Sequence, residues 1–151
     1  MAQTRLFEDF EVGEIWTSRK ETITEEDIIA FATVNDPQPI HTDAAAAAKG
    51  RFGSVIASGW QIAALSLRLF VEDGGYGDTP MVGLGVDELR WRQVVKPGDV
   101  LQVKREVVET RRSKSRPDRG IIRTRVEVRN QKDEVVLSLI SSGQVPTRTP
   151  D

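Results

Sequence analysis

The chain has 151 residues, no cysteine and one histidine, and its 21 basic and 23 acidic residues leave a net charge of −2. These numbers exclude a disulfide scaffold, a thiolate zinc site and a histidine-rich metal centre built by one chain, and they give no overall positive charge that would attract nucleic acid. The length favours a single domain over residues 1–151.

The N-terminal stretch "MAQTRLFEDFEVGEIW" lacks the basic segment and apolar core of a secretory signal. No later stretch is apolar for long enough to span a bilayer. The sequence therefore predicts a cytoplasmic protein without a membrane partner.

The first half of the chain predicts one strand and two short helices. "IWTSRKETI" (15–23) suits an edge strand, and "TITEEDIIAFATV" suits a helix over 25–34 that Thr24 caps. Pro37 and Pro39 must end that helix, because proline removes amide donors, so "DPQP" is expected to form a rigid loop. "TDAAAAAKG" (42–50) then predicts a small helix of five alanines.

The second half predicts a long helix followed by strands. Residues 59–72, "GWQIAALSLRLFVE", are apolar most of the way round, which is typical of a buried helix. From Met81 onward the apolar period changes to two, most clearly in "IIRTRVEVRN" (121–130). We expect an α+β fold in which a curved antiparallel sheet is wrapped around the 59–72 helix.

The only histidine, His41, follows Asp36 by five positions in the proline loop "NDPQPIHTD". A lone histidine is more often a structural or surface residue than a catalyst. Here, however, the bent loop can bring the carboxylate and the imidazole to one water molecule, and such a pair is suited to acid/base chemistry. Both interpretations remain open from the sequence.

Two further segments have a structural and a functional interpretation. In "RFGSVIASGW", Ser58 is either a simple helix cap or part of a site in which the Gly59 N–H stabilises an oxyanion. In "RRSKSRPDRG", five basic side chains, including Arg116, form either a solvated loop or a phosphate-binding patch. No nucleotide-binding loop, nucleophile elbow or metal-ligand cluster is present in the sequence.

The stretches "DPQPIHTD" and "AAAAAKGRFGSVIASGW" resemble the hydratase motif of MaoC-like dehydratases, a hot-dog-fold group that includes (R)-specific enoyl-CoA hydratases. The family pattern is approximately D-x-N-P-I-H-x-D, a small alanine-containing helix, and F-G-x-x-I-A-H-G. The resemblance extends from about Phe7 to Val145 and includes "VVKPGDVLQV" and "SKSRPDRG". Gln38 and Ser58 depart from the usual asparagine and histidine, and both adjoin the expected pocket.

The resemblance implies a hot-dog fold and a homodimer with one continuous sheet, with assembly beyond the dimer left open. It assigns Asp36 and His41 as the catalytic pair and the Gly59 amide as the oxyanion donor. The expected reaction is reversible hydration of an enoyl-CoA thioester to a 3-hydroxyacyl-CoA, without cofactor or metal. Which residue moves each proton stays open.

Six further residues are expected to bind the acyl-CoA substrate. Arg116 is a candidate for the coenzyme A phosphates, and the others are candidates for the acyl pocket: Ile40, Phe52, Ile56, Ser58 and Trp60. Two alternative functions are a hot-dog acyl-CoA thioesterase, in which Asp36 activates water, and a non-catalytic acyl-CoA-binding subunit.

Overall fold

The computed structural model describes residues 3–148. After a 3-10 turn at Phe7–Asp9, this part of the chain forms six strands and four α-helices. The strands are β1 (Ile15–Thr17), β2 (Glu21–Thr22), β3 (Val82–Trp91), β4 (Val100–Arg112), β5 (Arg119–Arg129) and β6 (Val135–Pro146). The helices are α1 (Glu25–Asn35), α2 (Pro39–Thr42), α3 (Ala44–Ala48) and α4 (Gly59–Glu72).

The strands form an antiparallel sheet in the order β1-β4-β5-β6-β3, and the short β2 also pairs with β4. β4, β5 and β6 follow one another as hairpins, which explains their adjacency in the sheet. β3 is joined to the sheet only through β6, so it forms one edge.

The predicted alternation in β5 is confirmed. Its inward side chains Ile122, Thr124, Val126 and Val128 are at most 7% exposed. The arginine and glutamate side chains between them are more accessible. This pattern makes one face of the sheet the floor of the core.

α4 begins and ends where the sequence predicted, and one of its faces packs on the sheet. Ile62, Leu65 and Leu69 belong to the same buried cluster as Leu101 and Val126 of the strands. This arrangement confirms the predicted α+β fold with a curved sheet against a central helix.

The expectation that α4 is buried on nearly all sides is wrong for a single chain. Leu67 and Val71 are 49% and 52% exposed, since they lie away from the sheet. An apolar helix face therefore remains open.

Two local features differ from the prediction. The expected strand over 15–23 is split into β1 and β2, because Ser18 between them bonds Val103 through both its backbone N–H and its hydroxyl. The proline loop contains the short helix α2, which has Pro39 at its start. Proline suits the first turn of a helix, where its missing N–H leaves no acceptor unpaired.

Within residues 3–148, no helix combines the length and the apolar character needed to cross a membrane.

Candidate active site

Asp36 and His41 meet because two short helical segments are separated by a proline. Asp36 caps the C-terminus of α1 and donates its N–H to Ala32 O at 2.8 Å, and Pro37 prevents the helix from continuing. α2 then starts at Pro39 and carries His41 as its third residue. As a result, His41 Nε2 lies 3.3 Å from Asp36 Oδ2.

The orientation of the imidazole is fixed by the backbone of Ile56. His41 Nδ1 lies 2.6 Å from Ile56 O, and Ile56 N–H donates to Ile40 O at 3.1 Å. A carbonyl oxygen can only accept, so Nδ1 carries a proton, and in the neutral form of the ring the lone pair is on Nε2. Nε2 lies on the side of Asp36, on a residue that is only 5% exposed.

Two side chains donate hydrogen bonds to the Asp36 carboxylate. Gln38 Nε2 donates to Oδ1 at 2.7 Å, and Ser58 Oγ donates to Oδ2 at 2.8 Å. The Gln38 bond first, then the Ser58 bond and the nearby His41, hold the pKa of Asp36 below its ordinary range despite partial desolvation. The carboxylate therefore stays ionised at neutral pH.

Ser58 connects this carboxylate to the N-terminus of α4. Its hydroxyl oxygen accepts from Trp60 N–H at 3.3 Å while its proton goes to Asp36. Gly59 is the first residue of the helix, so its N–H has no intrahelical acceptor. The cap predicted from the sequence is thus present in the same turn as the Gly59 amide, whose role as an oxyanion donor stays a prediction.

Trp91, at the end of β3, covers the Cα of Gly59. A Cβ built on Gly59 would lie 2.2 Å from the indole Nε1 and 2.3 Å from Cε2. Trp91 also makes an edge contact with Trp60, with ring centroids 5.0 Å apart. Only glycine fits here without displacing the indole, a constraint that no local sequence pattern revealed.

The structure places the other predicted residues at different distances from the dyad. Ile56 is buried against the imidazole through its backbone, and Phe52 is half-buried in the preceding loop with the Arg51 guanidinium over its ring. Ile40 and Trp60 are 46% and 55% exposed beside the dyad and the helix start. Their contribution to an acyl pocket stays a prediction.

Arg116 does not lie near the dyad of its own chain. It is exposed in the loop after β4 and donates its N–H to Ser113 Oγ. The opposite, N-terminal end of β4 comes shortly after Val95 in the chain. The Val95 carbonyl accepts from the N–H of Ala57, the residue before Ser58, so this end is the one on the side of the dyad. Because β4 has 13 residues, roughly 40 Å of strand separates the two ends.

Gln38 and the Ile56 carbonyl are contacts that sequence reasoning did not assign. Gln38 departs from the family pattern and lies two positions after Asp36. That departure and that spacing could have indicated a contact between the two side chains. The Ile56 carbonyl gave no signal, because its role depends on the backbone and not on the side chain.

No group of three or more histidine, cysteine, aspartate or glutamate side chains suited to a metal ion is found within residues 3–148.

Comparison with known proteins places the chain in a family. The sequence profile of the MaoC like domain matches residues 11–130. A 3-hydroxybutyryl-CoA dehydratase from Methylorubrum extorquens is 35% identical over 108 residues, which cover 68% of this chain and 64% of that protein.

Two solved structures share the fold along nearly the whole chain. A MaoC-like dehydratase from Rhodospirillum rubrum is 37% identical with a TM-score of 0.84, over 96% of this chain and 99% of that one. The (R)-hydratase PhaJ1 from Pseudomonas aeruginosa is 31% identical with a TM-score of 0.73, over 95% and 86%. The chain therefore has the hot-dog fold and belongs to the MaoC-like dehydratase family.

Proposed function

We propose that this protein catalyses the reversible addition of water to a 2-enoyl-CoA thioester, giving a 3-hydroxyacyl-CoA. The observation that carries the proposal is the 3.3 Å approach of His41 Nε2 to Asp36 Oδ2 at the N-terminus of α4. The family and its hydratase members support this class of reaction.

The proton balance of the reaction closes on His41. Its Nε2 lone pair takes a proton from water as the hydroxyl oxygen bonds to C3, and the imidazolium returns that proton to C2. Asp36 stays ionised, accepts a hydrogen bond from the same water and stabilises the imidazolium by its charge. Because the bonds from Gln38 and Ser58 hold the pKa of Asp36 low, we assign the water-orienting role to its carboxylate and the proton transfer to His41.

The Gly59 N–H is the donor for the charge that develops on the thioester oxygen as C3 is attacked. Its position at the start of a 14-residue helix adds the positive end of the helix dipole. Loss of one such donor typically raises the barrier by about 3 kcal/mol.

The proposed substrate class is supported by the relative from Methylorubrum extorquens, whose name specifies a CoA thioester. In this proposal Ile40, Phe52, Ile56 and Trp60 contact the acyl group. Arg116 is retained as a phosphate ligand for a coenzyme A bound by a second chain, since it lies far from the dyad of its own chain.

The proposed functional unit is a homodimer formed through β3 and the open face of α4. The ten residues of β3 have one unpaired edge, and exposed apolar side chains concentrate on these two elements. They are Trp60, Leu67, Val71, Val82, Leu84, Val86 and Trp91, each between 47% and 55% exposed. A second copy that pairs its own β3 here would extend the sheet and cover Trp60 and Trp91 beside the dyad.

Incubation with crotonyl-CoA tests the proposal. Loss of the conjugated-enoyl absorbance without release of free thiol is the expected result. Release of free thiol would instead establish the thioesterase alternative. The same assay is repeated with a panel of enoyl-CoA thioesters of increasing length. If these thioesters bind but neither lose the enoyl absorbance nor release thiol, the protein is a non-catalytic acyl-CoA-binding subunit and the hydratase is rejected.

A further inference from the structure

Arg105 is a charged residue inside the core. The alternation that turns Leu101, Val103 and Val107 of β4 inward also turns Arg105 inward, and only 6% of it is exposed. Within residues 3–148 it is the only lysine, arginine, aspartate or glutamate that is buried. Such side chains are rarely buried without an opposite charge.

The neighbours of Arg105 leave its charge without a counter-ion. Its guanidinium lies over the Phe70 ring, 4.1 Å from the centroid, and Nη2 donates to Tyr76 Oη at 2.9 Å. No carboxylate of residues 3–148 forms an ion pair with it. Burial lowers the pKa of Arg105, but a guanidinium stays charged at neutral pH.

A cavity of about 30 Å³ adjoins this guanidinium. The charged groups that line it are Arg5, Glu14 and Arg105, and Arg5 Nη2 already donates to Glu14 Oε1 at 2.7 Å. The lining therefore carries one uncompensated positive charge. Tyr76, Thr124 and Ser141 also line the cavity and add hydroxyl groups that can donate hydrogen bonds.

We propose that the Arg105 cavity is a binding site for a small monovalent anion of about the size of chloride. One water needs roughly 10–15 Å³, so a cavity of about 30 Å³ has room for one such ion. Water alone would leave the buried charge unpaired, which is unfavourable in a low-dielectric interior.

This site is separate from the dyad and does not depend on the proposed reaction. Phe70 and Gly59 lie 11 residues apart on α4, about 16 Å along the helix axis. The bound anion would join three elements, since Arg5 belongs to the N-terminal segment, Tyr76 to the loop after α4 and Arg105 to the sheet. Its expected effect is on stability.

Crystals of the wild-type protein grown with sodium bromide test the site directly. The expected result is a bromide anomalous peak in the cavity, within hydrogen-bond distance of the Arg105 guanidinium. Water density in the cavity, with bromide found only elsewhere, would overturn the proposal.

Thermal unfolding in solution gives a second test. The concentration of sodium chloride is raised while that of sodium gluconate is lowered, so that the ionic strength stays constant. Gluconate is too large for the cavity. The wild type should be stabilised in proportion to the logarithm of the chloride concentration above Kd, with about a hundredfold shift of the folding equilibrium at one hundred times Kd. Arg105→Met, which keeps a long apolar stem, should lose this dependence.

Arg125→Met is the matched control, because Arg125 is 49% exposed on the next strand and pairs with Glu106. It should keep the chloride dependence of the wild type. Equal chloride dependence in Arg105→Met and the wild type would reject the site. If Arg105→Met does not fold, the wild-type bromide peak and the chloride titration still decide between the outcomes.

Discussion

The hydroxyl of Ser58 donates to the Asp36 carboxylate at 2.8 Å, across 22 positions of sequence. The same hydroxyl oxygen caps α4. One serine therefore couples the charge of the proposed catalytic carboxylate to the start of the central helix.

Replacing Ser58 by alanine should raise the pKa of Asp36. The Ser58 bond helps to lower that pKa, so its loss moves the pKa toward the ordinary value. The carboxyl carbon of Asp36, followed by 13C NMR, should therefore titrate at higher pH in the variant than in the wild type. Loss of the cap should also destabilise the protein by about 1 kcal/mol.

The matched control is Ser66→Ala, which removes another buried hydroxyl from α4 whose partner is Ala63 O. It should leave the Asp36 titration unchanged. Gln38→Leu should move that titration further than Ser58→Ala, because the Gln38 bond is the larger cause of the lowered pKa. An unchanged Asp36 titration in both Ser58→Ala and Gln38→Leu would contradict the assigned role of these two hydrogen bonds.

Asp36→Asn and His41→Gln should each lower kcat/KM for crotonyl-CoA by about 10²–10⁴-fold, the usual contribution of acid/base catalysis. Asp27→Asn, an exposed substitution of the same type on α1, should keep wild-type activity. Circular dichroism and thermal unfolding check that the variants are folded. Full activity in a folded Asp36 or His41 variant would eliminate the dyad.

Gly59→Ala should destabilise the protein by about 1–3 kcal/mol, the usual range for overpacking, because the new methyl group collides with the Trp91 indole. The backbone N–H remains in this variant. In a Trp91→Ala background the same Gly59→Ala change should cost little further stability, as measured by urea unfolding of all four variants. If Gly59→Ala costs as much with Trp91 removed as with Trp91 present, the contact between these two residues does not explain the need for glycine.

Leu84→Lys should convert the proposed dimer to monomers, because it places a charge on the exposed edge strand β3, where Leu84 is 51% exposed. Val12→Lys is the control, since Val12 is an exposed apolar residue, 63% accessible, outside β3 and α4. Sedimentation equilibrium measures both. A dimer that survives Leu84→Lys would place the interface elsewhere.

The elements with strong local signals were predicted well. α4 has a serine cap at its start and glycines after its end, so both bounds were visible in the sequence. β5 alternates without interruption and agrees with its prediction within two residues. The split between β1 and β2 was missed because it depends on the bonds between Ser18 and Val103, which are distant in sequence.

In the candidate site, too, local contacts could be predicted from the sequence and contacts between distant segments could not. Asp36 and His41 are five positions apart in a proline-bent loop, and their meeting could be expected from local geometry. The contact of Trp91 with Gly59 and that of the Ile56 carbonyl with His41 connect separate segments. The inward position of Arg105 was implicit in the β4 alternation, but its burial without a counter-ion was not.

The imidazole of His41 is held by the main chain of Ile56 rather than by a side chain. A carbonyl group is present whichever amino acid occupies position 56, so substitutions there leave the ring tautomer intact. A change of the Ile56 side chain would therefore alter the shape of the proposed acyl pocket while the group that orients His41 stays in place.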